Sequence, residues 1–177
     1  MSEEYGLIHV YCGEGKGKTT AAMGLALRAA GSGIRVLVVQ FLKDGNSSEL
    51  KALRRLPEIE IVTGKPVKGF TFAMTPAERE LVAAHHNACL QQAVARCHNG
   101  EFAMLILDEV IGAVDKGLVD KDLLLDFLRH KPARLEVVMT GRNPLPELVE
   151  MAQYVSEINK IKHPYEQGIL ARIGVEK

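Results

Sequence analysis

Short, largely apolar runs alternate along this chain with longer stretches in which apolar positions recur three and four residues apart. The runs are Leu7 to Tyr11, Arg35 to Phe41, Ile59 to Val62, Ala103 to Glu109 and Leu135 to Thr140, with a shorter one at Val155 to Ile158. Most are unbroken in Val, Ile and Leu, which is the pattern of a strand covered on both faces rather than one. Between them the spacing predicts helices over 20–30, 48–56, 75–97, 120–129 and 146–153. The third of these has a clear start: Thr75 can cap, Pro76 suits the first helical position, and Glu78 completes a capping box. Asn99-Gly100 then stops it. Residues 64–74, which include Gly69-Phe70-Thr71-Phe72, read as a loop. Strands alternating with helices predict an α/β fold, a doubly wound and mainly parallel sheet with helices on both faces.

The first strand is joined to the first helix by Cys12-Gly13-Glu14-Gly15-Lys16-Gly17-Lys18-Thr19-Thr20. Glycines let this backbone curl tightly and aim its N–H groups at phosphate oxygens. The helix N-terminus adds partial positive charge, Lys18 a full charge, and a threonine hydroxyl can ligate magnesium. Gly13, Glu14, Gly15, Lys16, Gly17, Lys18, Thr19 and Thr20 are therefore the candidate ATP-binding residues. The usual spacing G-x-x-x-x-G-K-[ST] puts a glycine where this chain has Cys12, so the loop is expected to follow a somewhat different path. The fold class becomes P-loop NTPase-like, a single nucleotide-binding domain over residues 1–177.

A phosphate loop needs an acidic partner, and Asp108-Glu109 stands at the tip of a fully apolar strand. Either acid can hold Mg²⁺ beside Thr19, directly or through water. Ligands of open α/β sheets bind outside the carboxyl ends of the strands, where both motifs emerge. Arg142, in Thr140-Gly141-Arg142, opens on the same edge and can reach phosphate through its planar fork. Lys18, Glu109 and Arg142 are the candidate catalytic residues; Thr19, Asp108 and Glu109 are the candidate metal ligands. His85 and Cys89 lie four apart on a helix, but with no C-x-x-C pair they read as ordinary side chains of an amphipathic helix. Cys12 among N–H donors can have a lowered pKa, although a small residue that fits the turn accounts for it equally well.

Bulk properties narrow the field. The chain has 177 residues, 47% hydrophobic and 25% charged, with 22 basic and 22 acidic side chains. That balance argues against a dedicated nucleic-acid binder. No apolar run approaches membrane-spanning length, and Met1-Ser2-Glu3-Glu4 lacks the features of a secretory signal. Three scattered cysteines do not make a disulfide framework, so the expected compartment is the cytoplasm.

The ordered set of motifs goes further. Gly-Glu-Gly-Lys-Gly-Lys-Thr-Thr-Ala-Ala at 13–22, Val-Val-Gln-Phe at 38–41, Gly-Phe-Thr-Phe at 69–72 and Leu-Asp-Glu at 107–109 come first. Thr-Gly-Arg at 140–142, Val-Ser-Glu at 155–157 and Lys-His-Pro-Tyr-Glu-Gln-Gly at 162–168 follow. Together they resemble the P-loop corrinoid adenosyltransferases over nearly the whole chain. The resemblance implies that a cob(I)alamin or cob(I)yrinic acid a,c-diamide type of substrate attacks the 5′ carbon of ATP, giving an adenosylcorrinoid and triphosphate. It implies Mg²⁺ as cofactor and ATP lying reversed along the loop, which the missing glycine at Cys12 fits. A homodimer and a reduced flavoprotein electron donor are further implications, as is a corrinoid contact through Phe70 and Phe72 that helps displace the axial cobalt ligand. Better-known members have tryptophan at Phe72 and an extra N-terminal segment over the site, so closure here is expected from other loops or a second subunit. Two other readings stay open from the residues alone: a P-loop ATPase in which Glu109 activates water, and an ATP-sensing regulatory protein.

Overall fold

The structure is a computed structural model that describes residues 5–43, 45, 47–63 and 74–176. Its strands are β1 (Ile8–Cys12), β2 (Val36–Gln40), β3 (Ile59–Thr63), β4 (Met104–Asp108), β5 (Glu136–Thr140) and β6 (Tyr154–Glu157). They form one sheet in the order β3-β2-β4-β5-β1-β6, and every neighbouring pair is parallel. The helices are α1 (Lys18–Gly31), α2 (Ser48–Leu53), α3 (Pro76–His98), α4 (Val110–Asp115), α5 (Lys121–His130) and α6 (Pro146–Met151).

Alternation along each strand divides the core into two layers. Val36, Val38, Ile106 and Val138 face α1, packing on Ala22, Met23, Ala26, Ala29 and Ala30. The alanines let α1 lie close to the sheet. Leu37, Val39, Leu105, Leu107, Val137 and Met139 face the other way, toward the buried residues of α3, α4, α5 and α6. The helices on two faces follow from strands apolar on both sides, as the pattern requires.

The Thr75 box forms as the sequence predicts: Thr75 Oγ1 accepts from the Glu78 N–H at 3.3 Å, and the Thr75 N–H donates to Glu78 Oε2 at 2.8 Å. One buried histidine stands out on that helix. His86 is fully buried, meets Phe41 edge-on at 5.3 Å between centroids, and among the described residues neither ring nitrogen makes a well-formed hydrogen bond. Burial pushes its pKa down to about 4, so the ring is neutral at pH 7.

Three differences from the sequence-based expectation stand out, and two of them have local causes. Helix α1 starts at Lys18, not Thr20, because Gly17 at φ 120° makes the turn itself. Helix α2 stops at Leu53, three residues early. Helix α4 is not predicted at all: six residues are too few to display a period, and it begins from a left-handed Glu109 at φ 62°. Among the described residues, no helix is long and apolar enough to cross a membrane.

Candidate active site

Because the sheet is parallel, Cys12, Gln40, Asp108, Thr140 and Glu157 all end strands at one edge. The phosphate loop leaves β1 there and is stitched to its neighbours. The Gly13 N–H donates to the Arg142 carbonyl at 2.9 Å, and the Gly15 N–H to the Ile158 carbonyl at 2.6 Å. A Cβ on either glycine would stand 2.6 Å from the Ile158 carbonyl oxygen, and Gly13 has φ 96°. Only glycine fits both places. Cys12 needs no such freedom: it is the last residue of β1, buried, with its carbonyl accepting from the Ile158 N–H at 2.8 Å. Burial, aided by Glu157, raises its thiol pKa, so the lowering that loop N–H donors can produce does not win.

The cationic side chains divide between loop and rim. Lys18 Nζ donates to the Gly15 carbonyl at 2.7 Å and lies folded over the cradle. Arg142 pairs with Glu14 at 3.0 Å, both largely exposed, at the mouth. Lys16 reaches Glu176 at 3.4 Å.

Asp108 is the centre of the arrangement. It is 0% exposed, and its carboxylate accepts from four donors. Thr19 Oγ1 at 2.9 Å and Thr140 Oγ1 at 2.8 Å serve Oδ1; Gln40 Nε2 at 3.0 Å and Lys43 Nζ at 2.8 Å serve Oδ2. The Thr140 hydroxyl also accepts from the Glu109 N–H at 2.8 Å, which fixes the tight left-handed turn after β4. Glu109 is held above the ordinary carboxylate range by burial first and by neighbouring Asp108 second, against the opposing charges of Lys43, Lys18 and Arg142.

Thr19 Oγ1 and Asp108 Oδ2 converge on one ammonium, that of Lys43, at 2.9 and 2.8 Å. Two hard oxygens already gathered around a cation are a donor set that suits Mg²⁺. Glu109, in the next position, borders the same cavity. That cavity measures about 1220 Å³ and lies between the loop, the apolar Met23, Leu27 and Leu53 of α1 and α2, and a covering segment that includes His163, Tyr165 and Leu170. A second space of about 280 Å³ lies across the Glu14–Arg142 pair, lined also by Glu109, Asp115 and Lys116.

The structure thus brings together the sequence-predicted residues from Gly13 to Thr20 with Asp108, Glu109 and Arg142. Phe70 and Phe72 lie outside the described residues. Sequence reasoning missed Gln40, Lys43 and Thr140 as site residues; the available signal was that all three stand at or just past strand tips on the ligand edge. Cys89 Sγ lies 3.5 Å from His85 Nε2, and no group of three or more metal-binding side chains forms among the described residues.

With this geometry in view, comparison with known proteins is decisive. Residues 4–176 match the ATP:corrinoid adenosyltransferase BtuR/CobO/CobP family. The chain belongs to that family. A corrinoid adenosyltransferase of Pseudomonas aeruginosa is 35% identical over 175 residues, covering 98% of this chain and 85% of that protein. The corrinoid adenosyltransferase of Escherichia coli K12 is 32% identical over 174 residues, 98% of this chain and 87% of its own. The corrinoid adenosyltransferase CobA of Salmonella typhimurium stands at the same 32%, with the same coverage. The family's reaction is ATP-dependent adenosyl transfer to a corrinoid, and among corrinoid adenosyltransferases a loop, an acidic strand tip and a large adjoining cavity have an evident use.

Proposed function

We propose that this corrinoid adenosyltransferase binds ATP with its polyphosphate in the 13–20 loop and transfers the 5′-deoxyadenosyl group to the cobalt of a reduced Co(I) corrinoid. The supporting observation is the convergence of the P-loop hydroxyl of Thr19 and the buried Asp108 carboxylate at one point beside a cavity of about 1220 Å³. Co(I) is itself a strong nucleophile, so no serine, cysteine or histidine nucleophile is required. The cobalt electron pair forms the bond to C5′, the C5′–O bond breaks, and triphosphate leaves with the electrons of that bond.

The chain's own residues then have two tasks. They hold C5′ in line, a gain in effective concentration, and they meet the negative charge that grows on the leaving oxygen. Lys18 and the loop N–H groups do the second from the cradle, with Arg142 reaching from the rim once Glu14 exchanges for phosphate. Thr19 and Asp108 would hold Mg²⁺, with Glu109 beside them, and the ion would neutralise polyphosphate charge. Gln40 and Thr140 keep the Asp108 carboxylate in place. Phe70 and Phe72 are proposed to cover the cobalt face, excluding an axial ligand so that Co(II) is more readily reduced. A reduced flavoprotein as donor and a homodimeric assembly complete the proposal on the strength of family resemblance, and a cytoplasmic setting on the three scattered cysteines that make no disulfide framework.

The raised carboxyl of Glu109 at the strand tip also suits a general base for water, the ATPase reading. Phosphorus NMR of a reaction with ATP, Mg²⁺, a strong reductant and a corrinoid separates the two. Triphosphate accompanied by a light-sensitive adenosylated product is the expected result; ADP and phosphate formed whether or not corrinoid is present would replace the transferase with an ATPase.

A further inference from the structure

A cation already stands at the strand tips, and it belongs to the protein. Lys43 Nζ lies 2.8 Å from Asp108 Oδ2 and 2.9 Å from Thr19 Oγ1. We propose that Lys43 is a tethered counter-cation: it occupies the metal position in the metal-free protein, competes with the divalent ion for it, and is released into the cavity toward the triphosphate when that ion arrives. This rests on the assignment of Thr19 and Asp108 as metal ligands.

The chemistry of Asp108 requires such a partner. Its carboxylate is wholly buried, and a buried charge left alone is strongly destabilising. Its neutral donors, Thr19, Thr140 and Gln40, bring hydrogen bonds but no charge. Among the described residues, the ammonium of Lys43 is the charge paired with it before the metal enters.

The same geometry makes the two cations exclusive. The Thr19 hydroxyl donates its proton to Asp108 Oδ1 and turns a lone pair to Lys43. A metal bound by Thr19 Oγ1 and Asp108 Oδ2 uses the oxygens that the ammonium now holds, and positive charges cannot share that space. Lys43 has a short way out. Its side chain is 27% exposed and lines the large cavity, on a flexible four-carbon stem. Its approach to the tips is built in by Leu42, a non-glycine residue in the left-handed region at φ 56°, which turns the chain just past β2. Strain of this kind persists where the surroundings over-determine it. Metal entry thereby sends one more positive charge into the cavity, where the leaving group becomes negative.

The test is Mn²⁺ titration of nucleotide-free protein, with free Mn²⁺ read by electron paramagnetic resonance. Lys43→Gln keeps a donor and removes the charge; Lys43→Met removes both. Each should bind Mn²⁺ about tenfold more tightly than the unaltered protein, since a competing unit charge a few ångströms away is gone. Lys43→Arg retains the charge and should bind close to the unaltered protein, which guards against a folding artefact in the other two. Melting in EDTA should be lowered in Lys43→Gln and restored by Mg²⁺ to a greater extent than in the unaltered protein. Mn²⁺ affinity unchanged by Lys43→Gln and Lys43→Met, while Asp108→Asn abolishes it, overturns the competition and leaves the metal assignment intact. Mn²⁺ binding indifferent to Asp108→Asn overturns both.

Discussion

Removing Lys18 is the sharpest single-residue test of the cradle. Among the described residues its ammonium pairs with no acid and donates to the Gly15 carbonyl at 2.7 Å, so it is available to an anion. Lys18→Ala should weaken ATP binding by about ten- to a hundredfold, the worth of one charge-assisted hydrogen bond, by calorimetric titration. Unchanged ATP affinity would contradict its assignment. Glu109→Gln should impair turnover most at limiting magnesium, and full activity there would clear Glu109 of a role at the metal. These residues were legible in the sequence because a phosphate loop and an acid after an apolar strand have fixed chemical partners. Lys43 was not. A lysine just past a strand looks like any solvated surface cation, and only the fold brings Thr19, Asp108 and Lys43 together from three separate segments.

Helices and loops carry consequences that no single contact reveals. The loop from Gly13 to Gly17 is held against the end of β6, with the Gly15 N–H bonded to the Ile158 carbonyl at 2.6 Å. Gly15→Ala would set a Cβ 2.6 Å from that oxygen, so the loop must lift from β6. ATP affinity should fall while the rest of the fold persists, measured by titration alongside circular dichroism; unaltered ATP binding would show that the loop tolerates the shift. On α3, His86 gives a pH dependence with a definite sign. Its pKa is about 4 when folded against 6.5 ordinarily, so the unfolded chain binds the proton first as pH falls. Stability from the neutral ring is complete above about pH 6.5 and is lost progressively down to about pH 4, by at most about 3 kcal/mol. His86→Leu should flatten that part of the urea-midpoint profile relative to the unaltered protein, and an identical slope in both would place the titration elsewhere. The capped start of α3 was readable from Thr75-Pro76-Ala77-Glu78, whereas α4 was hidden by its shortness and by the left-handed Glu109 that starts it.

Across the whole molecule, continuous apolar strands foretold a parallel sheet covered on both sides, and the six parallel strands agree. Their order was beyond the pattern: apolar runs state that a strand is buried, not which strand lies beside it. Insertion of β5 between β1 and β4 is what brings Thr140 against Asp108, tying the tip of β5 to the acidic tip of β4 through one hydroxyl. The result is a single ligand edge where Cys12, Gln40, Asp108 and Thr140 end their strands together, beside a cavity large enough for more than a nucleotide's phosphates. The measurement that bears most directly on this arrangement is a crystal structure with ATP, Mg²⁺ and a Co(II) corrinoid. It should show triphosphate cradled by Gly13 to Thr20, the metal between Thr19 and Asp108, and C5′ turned toward the cobalt. Nucleotide bound elsewhere, with the loop empty at saturating ATP, would contradict it.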